Sequence, residues 1–423
     1  MNLPPGLRAF RHRDYRLFYV GQGVSQIGTW LQMIATSWLM FHLSGSAFML
    51  GLAAFALQAP FLVLTPIAGV FVDRVDRRRV LMVTNSVAAL QAVAMFALVL
   101  HGAVEPWHLV AGNLVLGITS ACDAPARQSI LVGLVGGKSD LPNAIALNSA
   151  MMNGARFIGP LIGGALIAAL GEPWAFGLNT LTYAVMLWAL SRMRPAPAPH
   201  APAERGLLRQ LAAGARYAYG FLPSRCALLL LAAIAFSVHS FAAQMPWFAR
   251  EAFHGGSGTL GQLVGAAGFG AVTGMIYLAA RPDIRGLLRL AGMMAAVSGA
   301  ALLAFSFSRS LCLALPALYL VGMSSMLVAA STNTVLQSIV PDALRGRVAS
   351  LYVMSFLGVA PLGALAAGWV AERIGPPATL ACCGALALLA AVGYGSQYPK
   401  IRKEIRVAYE RLGILPSTSG RSP

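Results

Sequence analysis

The chain has 423 residues, of which 57% are hydrophobic and only 11% charged. A soluble domain carries about 25% charged residues, so this chain lacks the polar surface to face water on every side. Its net charge of +17 would suit nucleic acid in a soluble protein. Here the charge lies between apolar runs of membrane-spanning length, where anionic lipid is partner enough, and nucleic acid is not expected.

Apolar stretches of roughly 20 residues are the unit that crosses a bilayer. Twelve are read in chain order: 17–41, 47–71, 80–101, 107–133, 143–169, 174–191, 226–249, 260–280, 287–307, 312–337, 348–371 and 377–396. The first follows a tail carrying Arg8, Arg11, Arg13 and Arg16, and holds the polar residues Gln22 and Gln26. It is long and lacks a small-residue cleavage site, so a cleaved leader is not expected. Between spans two and three, "GVFVDRVDRRRVL" (69–81) packs Asp73, Arg74, Asp76, Arg77, Arg78 and Arg79 into a short loop. Further basic residues fall at 192–225, 281–289, 345–347 and from Lys400 onward, whereas the alternate loops offer only Arg250, Arg309 and Arg373. This asymmetry predicts both termini on the cytoplasmic side.

Span four contains Asp123 and Arg127, four residues apart on one helical face and able to pair. Span five contains Asn148, Asn153 and Arg156, which leaves one positive charge in excess. A charge at mid-bilayer costs about 2.5–3.5 kcal/mol on insertion scales, so each is a functional candidate. Two readings stand side by side. The three charges form a structural ion cluster locking span four to span five, or they line a site for an anionic substrate or a proton. Asp123 is the one carboxylate deep in a span, yet two nearby Arg favour its ionised form and oppose a proton-carrying role. In span five, Gly154, Gly159, Gly163 and Gly164 thin one face for close helix contact, and Pro160 removes a backbone donor.

After span six, "MRPAPAPHAPAERG" (193–206) cannot continue a helix and reads as a stiff linker, followed by an amphipathic segment for the membrane face. Span seven brings His239, a core histidine or a titrating relay, and Gln244. The five cysteines have no metal-binding spacing and read as packing residues. A shift of 205 positions lays 113–135 on 318–340, with Gly117 on Gly322, Ser120 on Ser325 and Leu131 on Leu336. Six spans on each side of the linker and this weak repeat predict an all-α membrane protein. The same pattern predicts twelve transmembrane helices in two pseudo-symmetric six-helix bundles. The divisions are an N-terminal bundle at 1–194, the linker and amphipathic helix at 195–224, and a C-terminal bundle with a basic tail at 225–423.

The loop at 69–81 resembles the signature loop of the major facilitator superfamily, G-x-x-x-D-[RK]-x-G-[RK]-[RK], through Gly69, Asp73, Arg74, Arg77 and Arg78; Asp76 replaces the usual second Gly. The segment 123–164, "SIVPDALRGRVASLY" (338–352) and "YVGQGVSQIGTWLQMIATSWL" are similar to one branch, which holds macrolide exporters and the enterobactin exporter. The resemblance implies the two-bundle fold and a conformational latch at the loop. It also implies that "GARFIGPLIGG" (154–164) is the antiporter motif of exporters. It implies a bacterial inner-membrane protein, monomeric, that exchanges protons for a small-molecule substrate by alternating access. The excess positive charge favours a siderophore or similar secreted metabolite; multidrug or macrolide efflux and lysophospholipid transport are the alternatives. No catalytic motif, cofactor site or metal site is read, so an enzyme is not expected.

Overall fold

A chain in lipid must satisfy its backbone groups within each crossing segment, which leaves helix as the solution for spans of this length. The computed structural model describes residues 4–72, 75–135, 139–194, 215–281 and 283–411, and these form helices and short turns without a strand. Ten helices are long and apolar enough to cross a membrane.

The helices are α1 (Arg13–Ser44), α2 (Ala47–Val72), α3 (Arg77–Leu100), α4 (Pro106–Leu134), α5 (Leu141–Leu170) and α6 (Glu172–Arg192). Then follow α7 (Leu222–Ser237), α8 (Phe241–Trp247), α9 (Ser257–Ala279), α10 (Leu287–Ser306) and α11 (Leu311–Ile339). The last are α12 (Asp342–Val353), α13 (Ala360–Ile374) and α14 (Pro376–Arg411). Two of the apolar runs are interrupted. α7 and α8 are separated by a turn at 238–240, and a π turn at Phe248–Ala252 follows. A second π turn, Met354–Gly358, separates α12 from α13. The helices α1 and α6 are long but less apolar than the ten, because each directs polar side chains into the protein. The final helix runs 36 residues, well past the apolar run, with Ile401 and Tyr409 buried along its extension.

α1 packs on α5 and α6, α2 and α3 on α4, and α3 on α6. Later in the chain α9 and α10 pack on α11, and α7, α10 and α13 on α14. The glycines that the 205-residue shift pairs occupy like positions. A side chain at Gly117 would strike α2 at the Leu57 carbonyl, and one at Gly322 would strike α9 at Ala267. The most extensive joins between the earlier helices and the later ones are α2 with α13 and α5 with α9, with smaller contacts from α1 to α8 and α9 and from α2 to α8 and the second π turn.

Both joining pairs pack tightly toward the end where α1 turns into α2, and α5 and α9 stay in contact down to Gly268, whose added Cβ would lie 2.6 Å from the Arg156 carbonyl oxygen. A Cβ added to Gly51 would lie 2.6 Å from the Ala364 carbonyl oxygen and 3.0 Å from the Gly368 Cα. A Cβ added to Gly164 would lie 2.5 Å from the Ser257 carbonyl oxygen and 2.9 Å from the Gly261 Cα. Backbones approach this closely only where neither helix carries a side chain. One carboxylate fastens the first seam. Glu372 Oε2, at the end of α13, accepts from Ser46 Oγ at 3.0 Å and from the Phe48 N–H at 3.1 Å. It thus caps the start of α2 from more than three hundred residues away.

Candidate functional site

The polar residues of α1 recur with helical spacing: Gln22, Ser25, Gln26, Thr29, Gln32 and Thr36 share one face. That face lines a cavity of about 100 Å3, whose other walls come from α2, α3, α4 and α6. Asp123 and Arg127 lie in its wall. Asp123 is buried, and its carboxylate has three partners. Oδ1 accepts from Thr84 Oγ1 and Asn85 Nδ2, each at 3.1 Å, and Oδ2 pairs with Arg127. Beside it an amide ladder ties three helices together. Gln32 donates to Gln91 Oε1 at 2.8 Å, and Asn179 donates to Gln32 Oε1 at 2.6 Å.

This geometry corrects the reading of one three-charge cluster locking span four to span five. The ion pair ties α4 to α3, through Thr84 and Asn85, and Arg156 is not in the cavity wall. Toward α5 Arg127 reaches only the Met152 sulfur, at 3.9 Å. The volume decides what the cavity can hold. It admits a few waters, whereas sites for small organic ligands run to roughly 300–1,000 Å3.

Arg156 stands apart. It lies halfway along α5, keeps accessible surface, and has no carboxylate partner among the described residues. Its guanidinium lies over the ring of Trp30 on α1, 5.9 Å from the centroid. The His239 ring meets Phe356 of the second π turn edge-on, with centroids 5.0 Å apart. The two interrupted helices therefore meet each other at His239, in the α7–α8 break. Helix interruptions of this kind recur at functional sites.

The remaining candidates scatter. Gln22 and Gln26 line the small cavity, and Gln26 donates to Met152 Sδ at 2.7 Å. Asn153 donates to the Ser149 carbonyl at 2.8 Å and to Met275 Sδ of α9 at 3.2 Å. Asn148 Oδ1, His239 Nδ1 and both amide atoms of Gln244 are buried without a hydrogen-bond partner among the described residues. In the α5 glycine motif, Gly159 and Gly163 face α1, against Trp30 and Leu31, while Gly164 faces α9. The carbonyl of Pro160 abuts Gly261, and Gly154 has open space before it.

At the charged loop, Asp73 and Arg74 lie outside the described residues, and Gly69 falls within α2. Asp76 caps α3 by accepting from the Arg78 N–H at 2.9 Å, which gives the replaced glycine a purpose. Arg77 opens α3. Arg78 is not a freely solvated loop residue. It donates to the Leu190 and Ser191 carbonyls at 2.6 and 2.8 Å and so caps the end of α6. Sequence reasoning missed Thr84, Asn85, Gln32, Gln91 and Asn179. The available signal was an amide or hydroxyl inside an apolar run, and for α1 its helical recurrence.

Membrane-length helices around a polar cavity with a buried ion pair define the class, a multi-pass membrane transporter. The model of the transmembrane secretion effector family matches residues 5–412, and the chain belongs to that family, within the major facilitator superfamily. Its relatives are transporters, not enzymes. The staphyloferrin A transporter of Staphylococcus aureus is 24% identical over 87% of this chain and 92% of its own. The multidrug efflux pump Tap of Mycolicibacterium fortuitum is 28% identical over 83% and 88%. The enterobactin exporter EntS of Shigella flexneri is 25% identical over 88% of each. Among solved structures, a bacterial homolog of the human lysosomal transporter Spinster, inward-facing and unoccupied, superposes with a TM-score of 0.72 at 16% identity. That match covers 95% of this chain and 99% of the other.

Proposed function

We propose that the chain is a secondary exporter of a siderophore or similar anionic metabolite, coupled to protons and working by alternating access between two six-helix bundles. In this reading α1 and α6 join the ten apolar crossings to make twelve, and the linker and amphipathic helix at 195–224, of which 195–214 lie outside the described residues, divide the bundles. Both termini face the cytoplasm, by the placement of Lys and Arg. The closed glycine seams are then extracytoplasmic and the state is inward-facing. The Asp73 loop supplies the latch of the opposite state.

The observation that carries the substrate reading is Arg156. A guanidinium halfway along its helix, on an aromatic ring and with no carboxylate partner among the described residues, is a receptor for an anion held near the midplane. The Asp123–Arg127 pair is internally neutral, its cavity is too small for such a molecule, and its carboxylate is fully engaged. It holds the first bundle together and hydrates its interior. Siderophore transporters among the relatives support the same direction.

Arg156→Gln should lower export of the metabolite from iron-starved cells at unchanged protein level. If it instead lowers the amount of folded protein, while surviving molecules export normally, Arg156 is structural. The likeness to multidrug pumps favours a second reading, drug efflux. Unchanged siderophore secretion on gene deletion, with new sensitivity to macrolides or dyes, would select it. Defective lysophospholipid movement would select lipid transport.

A further inference from the structure

On the outside of the α1–α6 seam lies a groove of about 300 Å3, distinct from the polar cavity on the inside of the same seam. Its floor is Gly21 and Ala189, the small residues through which the two helices touch; a Cβ on Gly21 would lie 2.9 Å from that of Ala189. Its walls are Leu17, Val20, Val185 and Trp188, all apolar. Val20 and Trp188 are 59% and 55% exposed, so the groove opens away from the protein. In a chain that spans a membrane, that direction is lipid. Two small residues facing each other between larger ones leave a trough that a straight alkyl chain fills and a bulky protein side chain does not.

The charged groups sit at one end only. Arg13 and Arg16, three residues apart on α1, close the groove where the helix leaves the apolar layer. Arg13 is 64% exposed and lies 3.8 Å from Asp14. Asp14 in turn accepts from the backbone N–H of Arg194 at 2.9 Å, so it is engaged with α6. Arg16 is steadied by one hydrogen bond to the Phe10 carbonyl at 3.0 Å, which leaves its other donors free to point outward. An apolar trough under a pair of guanidinium groups matches a molecule with an alkyl chain and an anionic phosphate head.

We propose that this groove binds an acidic phospholipid of the leaflet that faces the N-terminus, with the phosphate between Arg13 and Arg16 and one acyl chain over Gly21 and Ala189. Two features separate this from general attraction of basic loops to lipid. The trough ends at the two Arg, and Trp188 stands beside it one turn before α6 ends at Arg192, a place that suits an interfacial indole. The bound lipid lies across the α1–α6 seam, behind the helix face that carries Gln22 and Gln26. The inference needs only that the chain spans a membrane and is independent of the exported molecule.

The test uses the full-length protein purified in detergent and native mass spectrometry. The probes are phosphatidylglycerol and phosphatidylcholine with identical acyl chains. Wild-type protein should retain phosphatidylglycerol in preference, and the Arg13→Gln/Arg16→Gln variant should lose that preference by roughly tenfold. Each single substitution should fall between. The control variant is Arg402→Gln/Lys403→Gln, on the exposed face of α14; it removes as much charge and should retain the lipid as wild type does. Equal retention of the two lipids by wild type would overturn the proposal. So would a double variant that holds phosphatidylglycerol as well as the control does, since attraction would then be general.

Discussion

Replacing Glu372 by Ala removes a carboxylate that bridges α13 and the start of α2. Two hydrogen bonds are lost, from Ser46 Oγ and from the Phe48 N–H. The second is a helix cap supplied from another helix, and losing a cap costs about 0.5–2 kcal/mol. Glu372 is exposed, so water replaces part of what is lost and the lower half of that range is expected. The glycine contacts at Gly51 and Gly164 do not depend on Glu372, so the seam loosens without being abolished. At 1.4 kcal/mol per tenfold, the closed-to-open ratio at this end should fall by roughly two- to tenfold. Spin labels at positions 103 and 309, in the turns after α3 and α10, read that ratio as a distance distribution. The long-distance population should rise in Glu372→Ala and rise less in Glu372→Gln, which keeps a carbonyl acceptor. An unchanged distribution in Glu372→Ala would show that the glycine seams alone hold this end, and the reasoning from the cap would be wrong.

Other substitutions probe the remaining contacts. Asp123→Asn leaves Arg127 without its charge partner in a buried site, at a cost of about 3–5 kcal/mol; thermal unfolding in detergent should fall sharply, and Asp123→Asn/Arg127→Met should recover part of the loss. Gly51→Val places side-chain atoms against the α13 backbone, so the same spin labels should report an open seam in most molecules; a wild-type distribution would mean that the helices shift apart at little cost. Asp73→Asn should leave the protein inserted and cut transport, and wild-type transport at equal abundance would reduce Asp73 to a loop residue.

The resemblance carried by the 69–81 loop and by residues 123–164 was legible in the sequence because motifs of that kind are local. Spans were legible too, since the length of an apolar run and the charge of a loop need no knowledge of packing. The polar stripe of α1 also follows from a period of 3.6 residues, and it explains why α1 is less apolar than its neighbours. The division of labour between Arg156 and the Asp123–Arg127 pair was not legible. Sequence places Arg127 and Arg156 on adjacent spans, but the rotation of each helix about its axis decides which face meets which neighbour, and packing sets that rotation. Arg78 is similar, since its hydrogen bonds to Leu190 and Ser191 require knowing where α6 ends. The seams are furthest from the sequence. Gly51 against Gly368, and Glu372 on Ser46, join residues more than three hundred positions apart. Spans and charged loops are settled by each segment's exchange with water and lipid, whereas these contacts exist only once separate helices have docked.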